Sequence, residues 1–195
     1  NAGREMPKSS SELPWTLIKN TTPESAAHLF QEESFVCVCA ETTLPGGEPV
    51  EFLNSAVDFV NDQLFGTLCA TITVSKAFEK QQALALEKAI AKLRYGSVCI
   101  NQWAGIVYGL MTPPWGGHPS SNLESPQSGI GHVHNTFFLK DFEKTVLRGP
   151  LCSHPKPVWF HSHKTATQVG WSLLKLYDKP SITRLPLLFF HALRG

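Results

Sequence analysis

Residues 51–101, EFLNSAVDFVNDQLFGTLCATITVSKAFEKQQALALEKAIAKLRYGSVCIN, decide the fold. Phe52, Leu53, Ala56, Val57, Val60 and Leu64 recur at helical spacing, and Gly66 follows as a stop. The period then changes. Residues 67–74 are β-branched and apolar, as a strand requires. Ser75 can cap a second helix, which turns Ala77, Leu84, Ala89, Ile90 and Leu93 inward and ends at Gly96. Residues 97–100, SVCI, read as another strand. Upstream, residues 35–40, FVCVCA, form a continuous apolar run and predict a buried strand. The order strand, helix, strand, helix, strand predicts an α/β fold: a parallel sheet of βαβ units covered by helices.

Such sheets gather function at the carboxyl ends of their strands. Asn101, Gln102 and Trp103 lie just past the strand at 97–100, and they lead toward residues 112–131, TPPWGGHPSSNLESPQSGIG. This stretch has no apolar period and is rich in Gly, Pro and Ser, so it reads as an ordered loop. A loop of that length inside a domain is usually functional or disordered. Trp115 sits between its prolines and glycines, either as a buried anchor or at the mouth of a pocket.

Elsewhere the pattern is weaker. Residues 1–14 form a polar lead-in, and residues 15–19 predict a short strand. Residues 23–31 predict one or two helical turns with Thr22 as cap and Pro23 at the first helical position. Further β-like stretches fall at 132–139 and 145–148, and a helix is expected over about 164–177. The last apolar stretch, 181–193, is expected to be helical and broken or bent by Pro186. Its Leu185, Leu187, Leu188, Phe189 and Phe190 are too apolar to be left in water. The domain division expected is 1–14, 15–150 and 151–195.

Composition excludes several classes. With 195 residues, 42% apolar and 17% charged, the chain can bury a core and is not disordered. A net charge of +1 argues against nucleic acid or an acidic membrane as an electrostatic partner. No apolar run reaches transmembrane length. The five cysteines read as reduced thiols in an intracellular compartment, cytoplasmic or mitochondrial matrix. Cys37 and Cys39 alternate along one strand, a weak metal signal without a second pair. The pairs His132/His134 and His161/His163 lack an obvious fourth ligand beyond Cys152 or Asp141, so they read as hydrogen-bonded loop histidines, with no metal site expected.

Five motifs in order resemble the aldehyde dehydrogenase superfamily, in the C-terminal part of its catalytic domain. QEESF at 31–35 is similar to that family's acidic-acidic-x-Phe motif. AVDFVNDQLFGTLCATITV at 56–74 resembles its A-x4-N-x4-G-L-x-A element. GSVCIN at 96–101, PWGG at 114–117 and SGIG at 128–131 resemble its G-x-V-x-x-N strand and its P-aromatic-G-G and S-G-x-G loops. The resemblance implies that Glu33 meets the nicotinamide ribose of NAD or NADP, with Phe35 packing beside the nicotinamide. It implies that Asn101, Trp103 and Trp115 line the aldehyde pocket. FVCV at 35–38 replaces the family's Phe-Gly-Pro-Val, which changes the backbone beside the cofactor position. The family's chemistry needs a nucleophilic Cys, a hydride acceptor and a Glu-activated water. Neither that Cys nor that Glu has a counterpart here, so no catalytic residue is assigned. Two functions follow. The chain either supplies cofactor and pocket contacts to a dehydrogenase completed by other protein chains, and is inactive alone, or it is a non-catalytic accessory subunit of a larger complex, which the apolar tail also suits.

Overall fold

The computed structural model describes residues 2–4, 14–160 and 162–195. It divides into two compact units, residues 1–149 and 150–195. The first unit is mixed α/β. Its strands are β1 (Ala2–Arg4), β2 (Thr16–Ile18), β3 (Val38–Ala40), β4 (Cys69–Ile72), β5 (Ser97–Ile100), β6 (Trp115–Gly116), β7 (His132–Val133) and β8 (Thr145–Arg148). Its helices are α1 (His28–Gln31), α2 (Pro49–Gln63), α3 (Lys76–Gln81), α4 (Ala83–Lys92) and α5 (Ile106–Gly109).

The main sheet has the order β4-β5-β8, all parallel, with Val98 opposite Ala70 and Val146. Central β5 is buried along its whole length, which is why SVCI carries no charged residue. Side chains alternate across a strand. Val98 and Ile100 therefore face a core built with Leu53 and Val57 of α2 and Leu86, Ala89 and Ile90 of α4. Cys99 faces the other way, onto Ala104, Val107, Trp115 and Leu147. Each fully buried aliphatic side chain contributes about 1.5–3 kcal/mol relative to exposure.

Local chemistry sets the element ends. Ser75 Oγ accepts from the Phe78 N–H at 3.1 Å and starts α3. The carboxyl end of α4 is closed from two sides. Asn61 Nδ2 donates to the Lys92 carbonyl at 2.9 Å, and Lys144 Nζ donates to the Ile90 and Ala91 carbonyls at 3.1 and 2.9 Å. These satisfy carbonyls that no helical N–H can reach.

Several sequence expectations change. The run 35–40 is a strand only from Val38, because Phe35 takes a left-handed φ of 43° and the Val38 N–H turns back onto the Val36 carbonyl at 2.8 Å. It pairs with β2, in a sheet of order β1-β2-β3, and not with β4. The first predicted crossover thus joins two sheets instead of two neighbouring strands. Residues 23–27 form a turn, with Thr22 Oγ1 accepting from the Ser25 N–H at 3.2 Å, and only 28–31 are helical. The single helix expected over 76–95 is two, parted at Gln82 (φ −121°, ψ 31°). The stretch 132–139 is extended only at His132 and Val133, since His134 and Asn135 have φ of 65° and 49°.

The second unit is an αα hairpin. It comprises α6 (Ala166–Asp178), a 3-10 turn at Ile182–Arg184 and α7 (Leu185–Ala192). Thr165 Oγ1 donates to the His191 carbonyl at 2.6 Å, and His163 Nε2 lies 3.3 Å from the Ala192 carbonyl. Val169 is buried. Pro186 stands at the start of α7, where its missing N–H has no helical partner to lose, so the apolar stretch is divided just before it into the 3-10 turn and α7. Leu187, Phe189 and Phe190 remain more than half exposed.

Candidate functional site

Asn101 ends β5 in a left-handed conformation, φ 60°, and is buried. Its N–H donates to the Ile72 carbonyl at 3.0 Å, and its Oδ1 accepts from the Val74 N–H at 2.8 Å. The side chain thus extends the β4–β5 ladder one step beyond the strand, and its acceptor is already engaged. Trp103 follows at the same end of the sheet. Its ring folds back on Gly105, where a Cβ would fall 2.5 Å from the ring, and its surface stays mostly open to solvent.

The loop 112–131 is fastened at the other end of the strands. The His118 N–H donates to the Thr67 carbonyl at 3.0 Å, and Thr145 Oγ1 donates to the Pro114 carbonyl at 2.9 Å. Gln127 Oε1 and Ser128 Oγ accept from the Gly66 and Thr67 N–H groups, both at 2.8 Å. The glycines are spent on close approach: a Cβ on Gly96 would lie 1.9 Å from the Gly116 carbonyl oxygen, and one on Gly116 would lie 2.2 Å from that of Gly131. Residues just before β4 and β5 and the first residue of β8 hold this loop, whereas the sequence order alone suggested a path at their carboxyl ends.

Trp115 is half-buried on the Cys99 face of the sheet. Tyr108 meets it edge-on with centroids 5.8 Å apart, and His134 lies 5.2 Å from Tyr108 on its own account. His132 packs edge-on against Phe142. His132 Nε2 and His134 Nδ1 are buried without hydrogen-bond partners, so this pair is packed among aromatics and not hydrogen-bonded as expected. Of the second pair, His161 lies outside the described residues. Among the described residues no group of three or more His, Cys, Asp or Glu is placed to hold a metal ion.

Glu33 and Phe35 share a different cleft. It has a volume of about 720 Å³ and is also lined by Phe30, Cys37, Cys39 and Phe59. Phe35 is 87% exposed despite its strained backbone. An exposed aromatic face beside a carboxylate fits a nicotinamide ribose, since the carboxylate can accept from ribose hydroxyls while the ring stacks. Among the described residues no Lys, Arg or His lines the cleft, so these side chains do not fit the pyrophosphate of a dinucleotide.

Cys69 connects the two regions. It packs on the cluster that holds Trp115, and burial, then the Glu33 charge, push its thiol above the ordinary range. Burial and Cys69 push Cys99 up to about 11. Both are protonated at neutral pH, the opposite of what a nucleophilic thiol needs. Cys37, Cys39 and Cys152 are exposed and free. Sequence reasoning did not identify the flank of Tyr108 and His134 beside Trp115, or the strain at Phe35, because both depend on backbone positions with φ above zero. No family model matches the chain, and no curated protein is significantly similar to it.

Proposed function

We propose that residues 15–150 are an aldehyde dehydrogenase-like portion that presents a nicotinamide-ribose contact and supplies no nucleophile of its own. The observation that carries this is the cleft at Glu33 and Phe35. A phenylalanine held at φ 43° with its ring in solvent costs stability and adds nothing to the core. Such an arrangement is accounted for when the ring has a ligand to face. Glu33 would accept from the ribose hydroxyls, and Phe35 would cover one face of the nicotinamide and exclude water from it. The nicotinamide, when bound, supplies the hydride acceptor. The phosphates, the second nucleoside and the reactive thiol would be held by another polypeptide, as a cleft wall with carboxylates but no cation among the described residues and the raised pKa values of Cys69 and Cys99 favour.

A second reading, a non-catalytic accessory subunit, is favoured by Asn101, whose acceptor is committed to the Val74 amide. Calorimetric titration with nicotinamide mononucleotide separates the two. The first reading expects saturable binding by the 195-residue chain, lost in Glu33→Gln, and no aldehyde-dependent NAD or NADP reduction. Absence of binding, or binding indifferent to Glu33→Gln and Phe35→Ala, refutes it in favour of the accessory role.

A further inference from the structure

The near-neutral charge of the whole chain is the sum of two opposed units. Residues 150–195 carry six Lys and Arg against a single acid, Asp178, a net charge of +5 that leaves −4 for residues 1–149. Much of the hairpin's remaining water-facing surface is apolar or aromatic, although Thr167, Gln168 and Thr183 are exposed as well. On α6, Trp171, Leu174 and Tyr177 recur every third residue and are exposed, Tyr177 to 81%. Ile182 in the connecting turn is 80% exposed, and Leu187, Phe189, Phe190 and Leu193 follow on and just after α7. Each of these residues keeps more than half of its surface open to solvent. Thr165 and His163 bond to the end of α7, and the buried side chain of α6 is Val169.

We propose that this unit docks on the surface of an anionic lipid bilayer, its Trp, Phe and Leu side chains entering the headgroup–acyl boundary and its cations meeting lipid phosphates and carboxylates. Helices rich in Lys and Arg that also present Trp, Phe and Leu lie in the membrane interface. Cationic side chains on long stems keep their charge in the headgroup layer while neighbouring apolar groups go deeper. Arg194 is arranged that way already, its guanidinium 5.1 Å from the centroid of the exposed Phe190 ring. Lys175 and Lys179 flank Tyr177 on the exposed end of α6. Among the described residues no helix is long and apolar enough to cross a membrane, so the mode is surface docking. A proteinaceous partner would have to match both the scattered aromatics and a +5 field, whereas an anionic lipid surface is fluid and needs no shape complementarity. The whole-chain charge of +1, which argued against an acidic membrane, conceals this because the acids lie in the other unit.

Co-sedimentation of the full 195-residue chain with large unilamellar vesicles tests it. Vesicles of phosphatidylcholine and phosphatidylserine in a two-to-one ratio are compared with pure phosphatidylcholine. The proposal expects binding to the first, weakened by added salt, and little to the second. Each cation near such a surface is worth about fivefold in partitioning, so the double variant Lys175→Glu/Lys179→Glu should bind at least about 25-fold more weakly. Both lysines are exposed, so this variant keeps the fold. A second variant, Phe189→Ser/Phe190→Ser, checked for retained helicity by circular dichroism, should also lose binding. Equal binding to both vesicle types overturns the proposal, as does binding that neither variant weakens. So does an absence of vesicle binding, and a defined oligomer or protein complex that the serine variant dissolves would then show what covers these residues instead.

Discussion

Asn101 offers the sharpest separation between scaffold and site. Replacing it by Ala removes the acceptor of the Val74 N–H, a bond of 2.8 Å in a part-buried place. An amide left unsatisfied there costs about 1–3 kcal/mol. The backbone at φ 60° is a second term, since Asn tolerates the left-handed region and Ala does so at roughly 1 kcal/mol or more. Asn101→Ala should therefore destabilise the first unit by about 2–4 kcal/mol. Asn101→Gly removes the same bond but relieves the dihedral, and should cost less, about 1–3 kcal/mol. Urea denaturation of the full chain, followed by circular dichroism, measures both. Hydrogen exchange at the Val74 amide localises the effect, with faster exchange in both variants. An Ala variant within about 0.5 kcal/mol of the parent, with Val74 still protected, would show that the side chain is not committed to the ladder. It would then be free to face a ligand, as the family resemblance implies.

Gly96→Ala should destabilise by at least about 1–3 kcal/mol or prevent folding, because its methyl meets the Gly116 carbonyl oxygen and the obstacle is backbone, readable as a fall in the denaturation midpoint. Ellman titration of the native chain should label Cys37, Cys39 and Cys152 readily, with Cys69 and Cys99 reacting only after denaturation. The raised Cys99 thiol makes the folded state bind more protons than the unfolded one above the ordinary thiol range. Stability should thus fall as pH climbs from there to about 11, and the fall should shrink in Cys99→Ala compared with its own stability at neutral pH.

How much of this was legible depends on what each residue reports. The helix at 49–63 and the strand at 97–100 announce themselves because burial on one face, or on both, forces a period in Leu53, Val57, Val98 and Ile100 that sequence displays directly. The Ser75 cap is equally local. By contrast, FVCVCA reads as a buried strand because composition cannot register a left-handed turn at Phe35, which leaves the ring in solvent and shortens the strand. The break at Gln82 lies among good helix formers, so propensity does not mark it. The loop's anchoring at the amino ends of the strands rests on Thr67, Gly96 and Thr145, residues distant from it in sequence. The charge division also stayed hidden, since a whole-chain sum has no position in it.

The motif glycines, Asn101 and Ser128 are explained by backbone approach and ladder closure, so their presence speaks for the fold of this chain and not for activity. A binding function has to be sought in residues the scaffold does not need, and Phe35 is the clearest. Phe35→Gly relieves a left-handed backbone worth roughly 1–2 kcal/mol and gives back about 0.5–1 kcal/mol in unfolded-state entropy. With 87% of the side chain already exposed, little burial is lost. The variant should therefore be more stable than the parent by roughly 0.5–1 kcal/mol while losing nicotinamide mononucleotide binding. Chemical denaturation and calorimetry on the same preparation read both quantities. A stabilised variant that has lost the ligand means the strain is kept for binding. A destabilised variant means the ring supports the fold after all, and the ligand-facing role of this cleft is then wrong.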